Sequence, residues 1–162
     1  MKCRLLYRND GGVSVIYPAP NSKRENETEK EWLDRVFKKS NPGNLLFKDI
    51  ESENLPSRRF RNQWVKSVDG VVPDLVKSKE RVLAELRKVR DVELIKSDGE
   101  LAKENEIGTP GSINALKDYR QKFRDLPQNI ESKLSSITTI SKLEQEYPCE
   151  LGIDEYLVKG EK

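Results

Sequence analysis

The apolar residues of this chain change their period partway along, and that switch constrains the fold more than any other feature. Before residue 73 most of them sit in short alternating runs; from Pro73 onward they recur every three or four residues. Alternation suits strands with one face buried, and the longer period suits amphipathic helices. The first segment has Cys3, Leu5 and Tyr7, then Asp10-Gly11-Gly12, then Val13, Val15 and Tyr17. That pattern predicts a hairpin, because glycine supplies a positive φ at the turn. Pro18 and Pro20 end its second strand, and Asn21 to Glu27 reads as a polar loop. Thr28 and Glu31 then form a capping box. Trp32, Leu33, Val36 and Phe37 follow at helical spacing, up to a stop over Ser40-Asn41-Pro42-Gly43. Leu45 to Ile50 reads as a strand. The order strand, strand, helix, strand predicts a small α+β unit over residues 1–58, with the helix on one face of the sheet.

A second unit is expected over 59–127. Phe60 to Val65 reads as a strand, Asp69-Gly70 as a two-residue turn, and Val71-Val72 as the return. Pro73 suits the first turn of a helix, where its missing N–H costs nothing. Leu75, Val76, Val82, Leu83, Leu86, Val89 and Leu94 then line one face, with Lys77, Arg81, Glu85, Lys88 and Asp91 facing water. This helix is expected to reach about Asn105, loosened at Ser97-Asp98-Gly99. Thr109 and Pro110 open the next helix as N-cap and first residue. Ile113, Leu116, Tyr119, Phe123 and Leu126 form its stripe, and Pro127 ends it. The pair predicts an antiparallel helical hairpin. Tyr119, Phe123 and Leu126 would clasp the long helix, while Arg120 and Arg124 would pair with Glu85, Asp91 or Glu93. Residues 128–162 carry four basic and seven acidic residues and stay unassigned, apart from a short helix over Ile140 to Tyr147.

Composition narrows the chemistry. The chain has no histidine, which removes imidazole triads, histidine metal sites and imidazole acid–base catalysis together. Its 30 basic and 28 acidic residues leave a net charge of +2, unlike a basic nucleic-acid arm or an acidic tail. The two cysteines, Cys3 and Cys149, lack partners for a tetrahedral zinc site, and both read as small buried hydrophobes. No stretch reaches the ~18 apolar residues of a membrane span. The chain is therefore expected to be cytoplasmic, reduced, and free of metal and cofactor.

Few residues suggest a reaction. Asp91 with Glu93, and Glu104 with Glu106, lie two apart on a helix and so do not face each other. The glycine stretches lack the lysine and strand–helix setting of a phosphate cradle, and no serine sits in a nucleophile elbow. An enzyme is not expected. Arg58, Arg59 and Arg61, with Phe60 and Trp64 between and beside them, could touch phosphates and stack on bases. However, Phe60, Asn62 and Trp64 share one parity, which fits rings turned into a core instead. Nucleic acid is not the expected partner.

Residues 60–127 carry a resemblance. The run begins Phe60-Arg61-Asn62-Gln63-Trp64 and Val68-Asp69-Gly70-Val71-Val72, followed by a charged helix with Lys79, Arg81, Arg87 and Arg90. It closes with Leu116-Lys117-Asp118-Tyr119-Arg120-Gln121-Lys122-Phe123-Arg124-Asp125-Leu126-Pro127. This is similar to the C-terminal part of the tail assembly chaperone-like and tail fibre-associated proteins of tailed phages and prophages. Phe123 stands where leucine is usual in that family, and residues 128–162 carry none of the likeness. Residues 7–20 resemble the start of such proteins more loosely. The resemblance implies a non-enzymatic protein of the host cytoplasm that helps a tail or tail-fibre subunit fold or assemble by protein–protein contact. Phe60, Asn62, Trp64, Asp69, Gly70, Leu86, Tyr119, Arg120, Phe123, Arg124, Asp125 and Pro127 mark the motif and the expected partner surface. A structural part of the virion tail, or a phage-encoded regulator binding a host protein or nucleic acid, is the alternative. A homodimer is left open.

Overall fold

The computed structural model describes residues 1–41, 43–149 and 151–161, with Glu161 described by its backbone alone. It is an α+β protein. Two compact units divide between Asp74 and Leu75 rather than at residues 58 and 59.

In the first unit, β1 (Lys2–Tyr7) lies between β2 (Val13–Ile16) and β3 (Phe47–Glu51), antiparallel to both. Leu5 stands opposite Val15 on one side and Lys48 on the other. The turn between β1 and β2 is the expected one: Gly11 has φ +80° and the Gly12 N–H donates to Asp10 Oδ1 at 2.8 Å. Helix α1 (Glu29–Ser40) begins at the expected box, in which Thr28 Oγ1 accepts from the Glu31 N–H and Glu31 accepts from the Thr28 N–H. Its expected stop includes Pro42, which lies outside the described residues. Leu33 and Phe37 are the buried face of α1. Arg4 is buried beside them, its guanidinium 4.4 Å from the Phe37 ring and 3.8 Å from that of Phe47, and its Nε and Nη2 donate to the two oxygens of Asp49 at 2.6 and 2.7 Å.

The other face of the sheet explains where the unit ends. β4 (Trp64–Ser67) and β5 (Gly70–Pro73) form a hairpin whose Trp64 and Val71 make one core with Leu5, against Tyr7, Val13, Val15, Ile50 and Leu55. Burying that apolar surface ties residues 59–74 to the strands that precede them. Several local expectations shift here. Residues Arg58–Gln63 form tight 3-10 turns, not a strand, so Asn62 is exposed while Phe60 and Trp64 are buried. The turn falls on Val68-Asp69, and Gly70 is the first residue of β5 with φ +135°. The positive φ calls for glycine, and a Cβ there would sit 3.3 Å from Leu5 Cδ1, which would have to give by a few tenths of an ångström. Pro73 is the last residue of β5, facing Trp64, and not the first turn of the helix.

The second unit is helical. α2 (Leu75–Ile107) is continuous through Ser97-Asp98-Gly99, where loosening was expected. The Gly108 N–H closes it on the Glu104 carbonyl at 2.8 Å. α3 (Pro110–Ser135) starts from the expected Thr109 cap but runs past Pro127, which is buried inside it. The helix continues because Ile130 and Leu134, beyond the proline, are also buried; their packing outweighs the missing backbone donor. Residues 128–162 thus take up the end of α3, then α4 (Ile140–Glu146) and α5 (Ile153–Glu161). α5 packs on α3 and α2, and α4 on α2. Val82, Leu83, Leu86, Phe123, Leu126, Leu143, Tyr147 and Tyr156 fill this core, with the last two rings stacked at 6.4 Å. Cys3 is buried as expected, but Cys149 is exposed, lying just beyond the packed Tyr147. Among the described residues no helix is long and apolar enough to cross a membrane.

Candidate functional site

The motif residues fall into separate places. Phe60 and Trp64 are buried in the first unit, so neither ring is presented for stacking on a base. Asp69 and Gly70 shape the β4–β5 turn, where the Gly70 carbonyl accepts from the Tyr7 hydroxyl at 2.8 Å. Leu86 and Pro127 belong to the core of the second unit. Arg124 and Asp125 are exposed, with Gln121 donating to Asp125 at 2.8 Å.

Tyr119, Arg120 and Phe123 are brought together on α3, and they form the most organised part of the motif. Phe123 is fully buried, while Tyr119 keeps 44% of its surface exposed and meets Phe123 edge-on at 4.5 Å. Tyr119 caps the buried ring from outside and stays partly open where it lines a groove with Glu100, Lys103 and Glu104 of α2. Arg120 is buried, and its partners differ from those expected. Its Nη1 donates to the Leu94 carbonyl at 2.9 Å and to Ser97 Oγ, and its Nη2 donates to Asp98 at 2.5 Å. The Ser97 hydroxyl in turn donates to the Leu94 carbonyl at 3.0 Å. Glu85 pairs with Arg81, Asp91 with Arg90, and Glu93 with Lys96, each within α2. The reason is register. Two antiparallel helices joined at Gly108 bring position 120 level with the middle of the 94–98 turn, so Glu85 is several turns away.

Beside this node a groove of about 470 Å³ opens between α2 and α3 towards the tip of the hairpin. Leu116, Ala115 and Tyr119 line its α3 side, and Glu100, Lys103 and Glu104 its α2 side. Tyr119's hydroxyl is pushed above its ordinary value by burial, then by the negative charges of Asp154, Glu93 and Glu100. It stays a neutral phenol, able to donate or accept one hydrogen bond. Glu104 accepts from Ser112 Oγ. These groups can hold an apolar side chain and a hydrogen-bonding one next to it. Among the described residues, no group of three or more acidic or cysteine side chains is placed to hold a metal ion.

Sequence reasoning missed two organised groups. Arg4, with Asp49 and the two rings, is signalled only by a cation set between Cys3 and Leu5 in the strand. The Ser97–Asp98 seat for Arg120 reads in sequence as a weak point, because serine, aspartate and glycine disfavour helix interiors. The hydrogen bonds that reverse this preference come from another helix. No family model, curated protein or solved structure matches this chain.

Proposed function

We propose that this protein is a non-enzymatic member of a phage or prophage tail module, assisting the folding or assembly of a tail or tail-fibre component by direct contact with it. The observation that supports this reading is the half-exposed Tyr119 beside Leu116 in the α2–α3 groove, next to a rigid base of Phe123 and Arg120. An aromatic anchor on a fixed helix, with an apolar neighbour and a charged rim, is the kind of surface that takes a helix or side chain of a partner. The dense surface charge keeps such a complex in solution.

The test is capture of the neighbouring tail proteins from cells that co-express them, identified by mass. Capture should occur with the native chain and be lost with Tyr119→Ala or Leu116→Asp, while the helical circular dichroism is unchanged. Absence of the protein from purified particles supports assistance in assembly. Its retention there would instead assign it to the virion tail. Capture that survives both substitutions would move the contact away from the groove.

A further inference from the structure

The outer face of α2 carries a second apolar strip, which meets the motif's surroundings only at its edges, where Asp98 accepts from Arg120 and Lys103 lines the α2–α3 groove. Ile95 is 70% exposed and Val92 50% exposed, although both lie mid-helix. Ile95 stands nine residues from the buried Leu86, which at 100° per residue puts it on the opposite side of the helix from the core. Continuing from Val92 and Ile95 in steps of four and three come Gly99 and Ala102, both exposed. This is the three–four spacing of a coiled-coil seam, with Val92 and Gly99 at a positions and Ile95 and Ala102 at d positions. Among the described residues, nothing beyond Gly99's own stretch of helix lies within 4 Å of where a side chain there would begin. Charges flank the seam in an ordered way. Asp91 and Asp98 occupy its g side, and Lys96 and Lys103 its e side; all four are exposed, although Asp91 also pairs with Arg90, Lys96 with Glu93 and Asp98 with Arg120 in its own chain.

We propose that a second copy of this chain docks along this face, with the two α2 helices parallel. In a parallel pair each g residue meets the e residue five places further along the partner. Asp91 then faces Lys96 of the other copy, and Asp98 faces Lys103, twice over by symmetry. An antiparallel pair sets lysine against lysine and aspartate against aspartate, so the flanking charges select the parallel arrangement. Glu85 and Glu106, at the a positions before and after the seam, confine it to about three turns. The contact is accordingly at the small end of protein interfaces, and the dimer is reversible and concentration-dependent.

The measurement is sedimentation of the full chain alone over a concentration series reaching about 1 mM. A monomer–dimer equilibrium is expected. Ile95→Asp and, separately, Lys96→Glu should leave only monomer with unchanged circular dichroism. Asp91→Lys combined with Lys96→Glu should restore the dimer, which a merely disrupted helix would not do. Spin labels on Lys88→Cys, in a Cys149→Ser background, should lie close across the parallel pair. A monomer at every concentration, a dimer indifferent to charge reversal, or labels far apart would each overturn the proposal. Because no tail protein is present in this experiment, its outcome is independent of whether the α2–α3 groove captures one.

Discussion

Arg120 and Glu27 illustrate how single polar side chains settle what the apolar pattern leaves loose. Arg120 gives up water in the second unit, and the cost is offset by three acceptors, two of them on one turn of α2 whose serine and aspartate are otherwise poor helix formers. Asp98 stays well exposed at 65%, so the pair is half in solvent and fixes register more than it adds stability. Glu27 plays the equivalent part in the first unit. It accepts from Arg35 Nε and Nη2, both at 2.7 Å, and from the Arg24 N–H at 3.0 Å. Arg35 also reaches the Ser22 carbonyl, so the loop that the sequence presents as merely polar is fastened to α1. The Arg35 hydrogen bond, with that from the Arg24 backbone, holds the Glu27 carboxyl down to about 2, against 4.5 when unperturbed. A depressed carboxyl stabilises the fold fully above its unfolded value and loses that contribution as pH falls through the folded one. Acid sensitivity from this group should therefore appear between pH 4.5 and about 2. Following the Glu27 carboxyl carbon by NMR should give a midpoint near the lower value, and Glu27→Gln should flatten the stability profile in that window. A midpoint near the ordinary value would show that the Arg35 contact does not form in solution.

At the scale of elements, α3 gives the sharpest contrast between what its residues announce and what its packing decides. Its start was legible because a cap is local chemistry: Thr109, Pro110 and Ser112 lie within four residues, and the box they form is complete. Its end was not legible, because Pro127 reads as a stop unless Ile130 and Leu134 are known to be buried. Proline inside a helix costs about 3 kcal/mol relative to alanine, whereas trimming its ring to a methyl forfeits roughly 1–2 kcal/mol of burial. Pro127→Ala should thus raise stability by about 1 kcal/mol, seen as a higher urea midpoint with an unchanged slope. A lower midpoint would mean that the ring is worth more to the core than the restored hydrogen bond. The same distinction runs through the other elements. The β1–β2 hairpin, the α1 box and the α2–α3 turn were readable from glycine, proline and cap residues within a few positions, and the β4–β5 hairpin with its turn displaced by one residue. The 3-10 turns at Arg58–Gln63 were not, since Phe60 and Trp64 are buried in either conformation and their spacing alone cannot choose. For the candidate site, the motif residues Tyr119, Arg120 and Phe123 were found from sequence. Their partners at Leu94, Ser97 and Asp98 depend on helix register, which no local pattern encodes.

For the whole molecule, the position of the division between the units carries the most consequence. A sequence boundary at residue 58 follows the end of the first run of elements and the start of the family likeness. The folded chain instead keeps residues 59–74 with the first unit, because Trp64 and Val71 complete the core around Leu5 and the Tyr7 hydroxyl is bonded to Gly70. A fragment of residues 1–58 would leave Leu5, Val15 and Ile50 without their cover, and a domain this small has little stability to spare. A fragment of residues 1–74 retains that cover. Both can be expressed and compared by proton NMR and thermal melting. The longer should give dispersed amide signals and a cooperative transition, and the shorter should give neither. Trp64 supplies an internal check: in the longer fragment carrying Trp32→Phe its buried indole should fluoresce at shorter wavelength than in urea, and Trp64→Ala should cost it roughly 3–5 kcal/mol, enough to unfold it. If residues 1–58 instead fold cooperatively by themselves, the β4–β5 hairpin is an accessory laid on a finished sheet, and the boundary belongs where the sequence pattern put it.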